Sequence, residues 1–331
     1  MNLHDIIKKS RNVEMFTREE ITAMLALQPN ALETYVIMAE ASRISHDVSN
    51  SSAEIHAQLA LNLAPCPRDC MFCSFAVANN IFHTSATVSP ADAVVQARQF
   101  EEDGANAIYI MATATFDMGQ YFETSREIRN HLRPDTILVA NVGDEFAAKA
   151  TNLVEAGFQG VYHALRLREG IDTKIDPNRR IESIKTFQKA GLSVGTCVEP
   201  IGPEHTDEEL ANMIMFTASI NPAFSGAARR IPIPGTTLAE KGIISELRMA
   251  QIVAVTRLVM PRSVKGNCSH EPGAVPILGG ANLLWAEVGA NPRDIKEKTE
   301  EGRGHSVPAI RKLFEEGEWQ TLDGASRFFD A

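Results

Sequence analysis

Apolar positions along the chain fall into short runs separated by amphipathic stretches. The runs are LALNLAP (59–65), AIYIMATA (107–114), TILVANVG (136–143), GVYHALRL (160–167), LSVGTCVEP (192–200), AARRIPI (227–233), RSVKGNC (262–268) and NLLWAEVG (282–289). Helical patterns such as PADAVVQARQFEEDGA, EFAAKATNLVEAGF and RRIESIKTFQKAGL lie between them. Several end in Ala-Gly or Asp-Gly, where a C-cap glycine belongs. Eight strands alternating with helices predict an α/β fold: a (β/α)8-type TIM barrel, full or nearly full, with a doubly wound open sheet as competitor. Both folds place their chemistry at the C-terminal ends of the strands. Residues 1–55 predict an N-terminal helical extension, in which Thr17 stands three residues before Glu20 as in a capping box. Residues 56–295 would form the barrel and 296–331 a C-terminal helical tail.

Composition narrows the setting. The 331 residues are 44% hydrophobic and 22% charged, as expected of a soluble globular chain with a large core. The net charge is −10 and no basic run appears, so no nucleic-acid partner is expected. No stretch approaches the roughly 18 apolar residues of a membrane span, so no membrane partner is expected either. The opening MNLHDIIKKSRNVEMF lacks the apolar core and small-residue cleavage site of a secretory signal. Five cysteines, an odd and low number, suit reduced thiols in a cytoplasm better than a disulfide scaffold.

Three of those five crowd into CPRDCMFC: Cys66, Cys70 and Cys73, just past the first predicted strand. A disulfide needs only two cysteines and an oxidising compartment. Structural zinc needs four ligands, and neither Cys197 nor Cys268 belongs to a second paired knuckle. A catalytic thiol accounts for one cysteine and leaves two. An iron–sulfur cluster fits best, because three thiolates can hold three corners of a [4Fe–4S] cube and leave the fourth iron open.

The C-x3-C-x2-C spacing after a first β-strand, with Phe72 before the last cysteine, resembles the radical S-adenosylmethionine (SAM) superfamily. CPRDCMFC is similar to the cluster loop of biotin synthase. AVTRLVMPRS followed by LGGANLLWAEVGANP resembles the last third of biotin synthase and of the radical SAM maturase of [FeFe]-hydrogenase, and RRIPIPGTTL (229–238) their sixth strand. The resemblance covers roughly residues 55–295 and implies a [4Fe–4S] cluster and SAM as cofactors. It also implies site residues: Arg180, with Arg179 beside it, for the SAM carboxylate; Arg166 and Glu169 as further SAM contacts; Ile201 against adenine; and the small-residue end of MATA (111–114) for the SAM amino group. A guanidinium suits a carboxylate because it can bind it through two parallel hydrogen bonds.

Cys197 and Cys268 depart from the biotin synthase pattern. That enzyme builds an auxiliary [2Fe–2S] cluster from three cysteines and an arginine. The second and third runs here hold no cysteine, and the seventh reads KGNCSHEP. Strand parity groups Gly195, Cys197 and Glu199 on one face, so both cysteines are expected to face one luminal cavity. They would be buried apolar residues, ligands of a different auxiliary cluster, or a sulfur site. The functions implied are hydrogen abstraction with sulfur insertion, or maturase-like cofactor assembly or carbon-skeleton rearrangement, with a non-catalytic Fe–S electron carrier as the third reading. The partners implied are a small-molecule or carrier-bound substrate and a low-potential donor such as ferredoxin or flavodoxin.

Overall fold

A computed structural model, which describes residues 2–329, shows eight parallel strands closed into a barrel. They are β1 (Ser52–Ala60), β2 (Ala107–Met111), β3 (Ile137–Asn141), β4 (Gly160–Tyr162), β5 (Ser193–Gly195, resuming as Val198–Ile201), β6 (Phe224–Arg229), β7 (Gly266–Ser269) and β8 (Leu283–Val288). Neighbours pair in chain order, and β8 closes on β1 with Glu54 opposite Leu283 and Gln58 opposite Glu287. Outside lie α1 (Leu3–Arg11), α2 (Arg18–Leu25), α3 (Leu32–Ser49), α4 (Pro90–Glu102), α5 (Met118–His131), α6 (Ala150–Glu155), α7 (Pro177–Lys189), α8 (Asp207–Ser219), α9 (Glu246–Val259), α10 (Ala274–Leu278) and α11 (Val307–Glu316). The capping box of α2 forms as its sequence suggests, Thr17 and Glu20 satisfying each other's backbone amides. α9 is buried from Met249 to Leu258 because the barrel covers one side and α2 and α3 the other.

The first strand begins seven residues before the apolar run that suggested it. In SAEIHAQLA the positions alternate: Ala53, Ile55, Ala57 and Leu59 join the layer under the helices, while Glu54, His56 and Gln58 turn inward. Polar inward residues break the apolar run but keep the period of two. After α11, residues Gln320–Thr321 pair with β1, and Ser326–Phe329 plug the lower end of the lumen.

The lumen is packed in layers, as small barrels require. At the bottom His56, fully buried, lies between Glu54 (3.0 Å) and the Tyr109 hydroxyl (2.9 Å), and Glu54 also accepts from the Arg327 amide at 2.8 Å. Glycines make room for the rings above. A Cβ at Gly195 would meet the Phe224 ring at 2.2 Å, one at Gly160 the Phe329 ring at 2.4 Å, and one at Gly266 the Phe328 ring at 2.7 Å.

Two outcomes follow from this plug. Phe328→Ala leaves a hole among packed rings and lowers unfolding free energy by about 3–5 kcal/mol, read from denaturant midpoints. Burial, against the pull of Glu54, holds His56 below its ordinary pKa. The unfolded chain therefore binds this proton more readily, and stability falls as pH drops below about 6.5. The thermal midpoint should decline from pH 7 to 5, and less steeply in His56→Gln.

Candidate active site

The loop after β1 carries Cys66, Cys70 and Cys73, and the rest of the barrel mouth grips its backbone. The Cys66 amide donates to Phe75 O (2.7 Å), the Met71 amide to Asp172 O (2.8 Å) and the Ser74 amide to Pro292 O (3.0 Å). Asn79 donates to the carbonyls of Cys70 (3.2 Å) and Cys73 (2.8 Å) and accepts from Thr237 beyond β6 (3.0 Å). Asp69 takes the left-handed conformation that turns the loop (φ 47°) and anchors it through the Ala78 amide and Lys174.

All three thiols are unpaired and line one cavity of about 220 Å³ at the C-terminal ends of the strands. Burial pushes the Cys70 thiol up to about 11 and the Cys73 thiol higher still. Near neutral pH these thiols stay protonated unless a metal centre takes them as thiolates, so the donor set fits an iron–sulfur cluster.

Beside the thiols stands a charged wall. Arg180, one turn into α7, is buried, while Arg179 is exposed; the helix direction thus selects between them. The Arg180 guanidinium lies 3.4 Å from Asp144, 3.7 Å from Glu169 and 2.8 Å from the His163 ring, and its Nε has no hydrogen-bond partner. Burial and the charge of Arg180 take His163 down to about 4, so this imidazole is neutral. Arg166, after β4, reaches the cavity with carboxylates at 3.8 Å (Glu169) and 3.7 Å (Glu199). Burial opposes its charge, but Glu169 and Glu199 outweigh that cost and raise its pKa. Both carboxylates lie beyond hydrogen-bond distance, so the Arg166 donors point at a space.

The floor is polar. Tyr162 donates to Glu199 at 2.7 Å, and the His270 ring lies 3.5 Å from the same carboxylate oxygen and packs on Trp285. Burial would raise the Glu199 pKa, but hydrogen bonds and charges from His270 and Arg166 bring it to about 2, so it is a carboxylate at any ordinary pH. Arg293 binds Glu287 through two hydrogen bonds of 2.9 and 3.0 Å. Gln58 accepts from Asn141 at 2.6 Å across the mouth of the barrel.

Of the residues singled out from sequence, the structure brings Cys66, Cys70, Cys73, Phe72, Arg166 and Arg180 onto this cavity, with Glu169 directly behind the two arginines. Ala112, Thr113 and Ala114 of MATA also line it, but the Thr113 amide is already taken by the Asn62 side chain at 2.9 Å. Ile201 is not on the wall: it is buried in the layer between strands and helices. Cys197 and Cys268 face the lumen with their sulfur atoms against each other, but neither lines the cavity. Sequence reasoning missed the Asp144–His163 support of Arg180 and the Arg293–Glu287 pair. For Glu287 a signal existed, since it shares parity with the luminal Leu283 and Trp285.

Residues 65–217 match the family model of the Radical SAM superfamily. Relatives include the biotin synthase of Desulforudis audaxviator, 26% identical over 285 residues that span 82% of this chain and 84% of that protein. The biotin synthase of Streptomyces avermitilis is 24% identical over 269 residues, 78% of this chain and 68% of that protein. Among solved structures, methylornithine synthase (PylB) superposes with a TM-score of 0.81 at 13% identity, covering 96% of this chain and 97% of that one. The FeFe-hydrogenase maturase HydG from Carboxydothermus hydrogenoformans gives 0.77 at 16% identity, covering 95% and 78%. At such identities the superpositions speak for the fold, whereas the cysteine loop and the matched stretch around it speak for lineage. Residues 65–217 of this chain thus form a domain of the radical SAM superfamily.

Proposed function

We propose that the chain binds a [4Fe–4S] cluster through Cys66, Cys70 and Cys73, cleaves SAM reductively and abstracts hydrogen from a small polar substrate held on the barrel floor. The observation that carries this reading is one cavity at the barrel mouth with three free thiols at one side and charged, incompletely bonded arginines at the other. The cluster supplies the electron that breaks the SAM sulfonium. The chain's own residues bind, orient and shield: Arg180 and Arg166 take the SAM carboxylate, Glu169 keeps both guanidiniums in place, and Phe72 covers the cluster. Glu199, His270, Tyr162, Glu287 and Arg293 then offer the substrate both signs of charge. A floor of this kind has no use in an electron carrier.

Between the finer readings, cofactor-maturation or carbon-skeleton chemistry needs only the three-cysteine site and is the one we favour. Sulfur insertion of the biotin or lipoyl type stays as the second reading, because Cys197 and Cys268 meet inside the lumen; an auxiliary cluster there belongs to that reading. A flavodoxin- or ferredoxin-type donor and a cytoplasmic setting belong to the proposal too. Among the described residues no helix is long and apolar enough to cross a membrane.

Replacing any one of the three loop cysteines by Ala should abolish the cluster absorbance and the formation of 5′-deoxyadenosine, since three protein ligands leave no spare. A variant that keeps full iron and still cleaves SAM would refute the assignment. Arg180→Lys should weaken SAM binding by about 1–3 kcal/mol with iron content unchanged, because an ammonium cannot make two parallel bonds to a carboxylate. If calorimetry finds the loss in Arg166→Lys and none in Arg180→Lys, the contact belongs to Arg166.

A further inference from the structure

The outer face of the cysteine loop differs in charge from the rest of the chain. The chain holds 42 acidic residues and a net charge of −10, yet it has no acidic residue between Asp69 and Asp92. Along this face runs the loop after β4. The Lys174 amide ties it to the cysteine loop by donating to Arg68 O at 2.8 Å, and Asp172 O does so by accepting from the Met71 amide. Asp69 joins the two loops as well, through Lys174 on one side and the Ala78 amide on the other. Three ion pairs lie here, and each has its cation outside. Lys174 is 71% exposed against 11% for Asp69, Arg168 35% against 8% for Asp172, and Arg68 32% against 17% for Glu145. Each pair is neutral in sum, but solvent meets its positive end. Asp176 is exposed at the start of α7, and the exposed Arg179 follows three residues on. Ile171 stands between Arg168 and Lys174 in the chain, and Val77 stands beside Ala78; both are exposed. Single exposed apolar side chains are ordinary, but these two are set apart by what lies behind them. The Val77 amide donates to Cys66 O at 3.1 Å, and Asp172, next to Ile171, accepts from Met71, next to Cys70.

We infer that this face docks a small acidic protein that carries one electron at a time, with its prosthetic group turned to the cysteine loop. The inference rests on the SAM reading above and gives the electron its point of entry. The carrier is oxidised by one electron and the cluster is reduced by one; no atom changes hands. Charge selects the face: an acidic carrier is repelled by most of a chain at −10 and attracted where three cations point outward. The small apolar centre suits a partner that must leave once spent, because two side chains bury too little area to hold it.

The test uses iron-loaded protein without oxygen, SAM, and fully reduced flavodoxin as the acidic probe, with the initial rate of 5′-deoxyadenosine formation as readout. Titanium(III) citrate, a small reductant that needs no docking, serves in the parallel assay. The flavodoxin concentration that gives half the maximal rate should rise about tenfold from about 50 to about 300 mM salt, since exposed charges are screened. Lys174→Gln combined with Arg168→Gln removes two charges but keeps donors for Asp69 and Asp172. It should raise that concentration several-fold and flatten the salt dependence. Ile171→Glu should raise it about tenfold, whereas Ile171→Lys should not raise it. Iron content and the rates with titanium citrate should stay those of the unaltered chain; if the glutamine pair loses iron, the two Ile171 variants decide alone. Flavodoxin-driven rates that respond to neither salt nor these substitutions overturn the inference while the SAM reading stands. So does a flavodoxin that drives no turnover where titanium citrate does. A dimer that Ile171→Glu dissociates on gel filtration, with flavodoxin-driven rates unchanged, overturns it in favour of a face between two copies of this chain. Absence of 5′-deoxyadenosine with titanium citrate overturns both readings together.

Discussion

A closed barrel shuts water out of its lumen, so each polar group pointing inward must find a partner there or wait for a ligand. That constraint orders the whole interior. At the bottom Glu54, His56 and Tyr109 satisfy one another with help from Ser326 and Arg327. In the middle the lumen is sulfur and aromatic rings. At the top, Arg180 Nε and the buried Asn291 Nδ2 lack partners, and both residues line the cavity. These two unsatisfied groups stand where a small molecule can satisfy them.

The charged wall shows how little of an active site is contributed by residues that touch the ligand. Arg180 is held from behind by Asp144 from the loop after β3, by His163 next to β4 and by Glu169 beyond it. Two segments, those after β3 and β4, fix one guanidinium. A neutral His163 matters here, since a second positive charge against Arg180 would push the arginine out of its niche. The cluster loop is supported in the same manner, with Asn79 tying two cysteine carbonyls to Thr237 on the far side of the mouth.

Much of this was legible along the chain and some was not, for identifiable reasons. The alternation of apolar runs and helices reports a repeating local unit, so the barrel could be anticipated from it. The cysteine loop is equally local: its spacing carries its chemistry. The start of β1 was hidden because its luminal positions are Glu54, His56 and Gln58, and a search for apolar runs passes over a strand that alternates. Ile201 was misplaced because the resumed piece of β5 is irregular between Val198 and Ile201, so that Glu199 faces the cavity while Ile201, two residues on, faces the helices. The Asp144–His163–Arg180 contacts join the segments after β3 and β4 to α7, and no pattern within one announces the others.

The aromatic plug at Phe328 and Phe329 has a kinetic meaning. A lumen stoppered at one end is a blind alley, and whatever rests on the floor must pass the cluster loop on its way in. On the proposed reading SAM occupies the outer part of that alley, so the substrate enters first and SAM second. Departure runs in reverse: methionine and 5′-deoxyadenosine clear the passage before the product can follow. A tenant on the floor is thereby locked in for as long as a radical exists above it, and the queue itself, with no moving lid, keeps the reactive species from escaping.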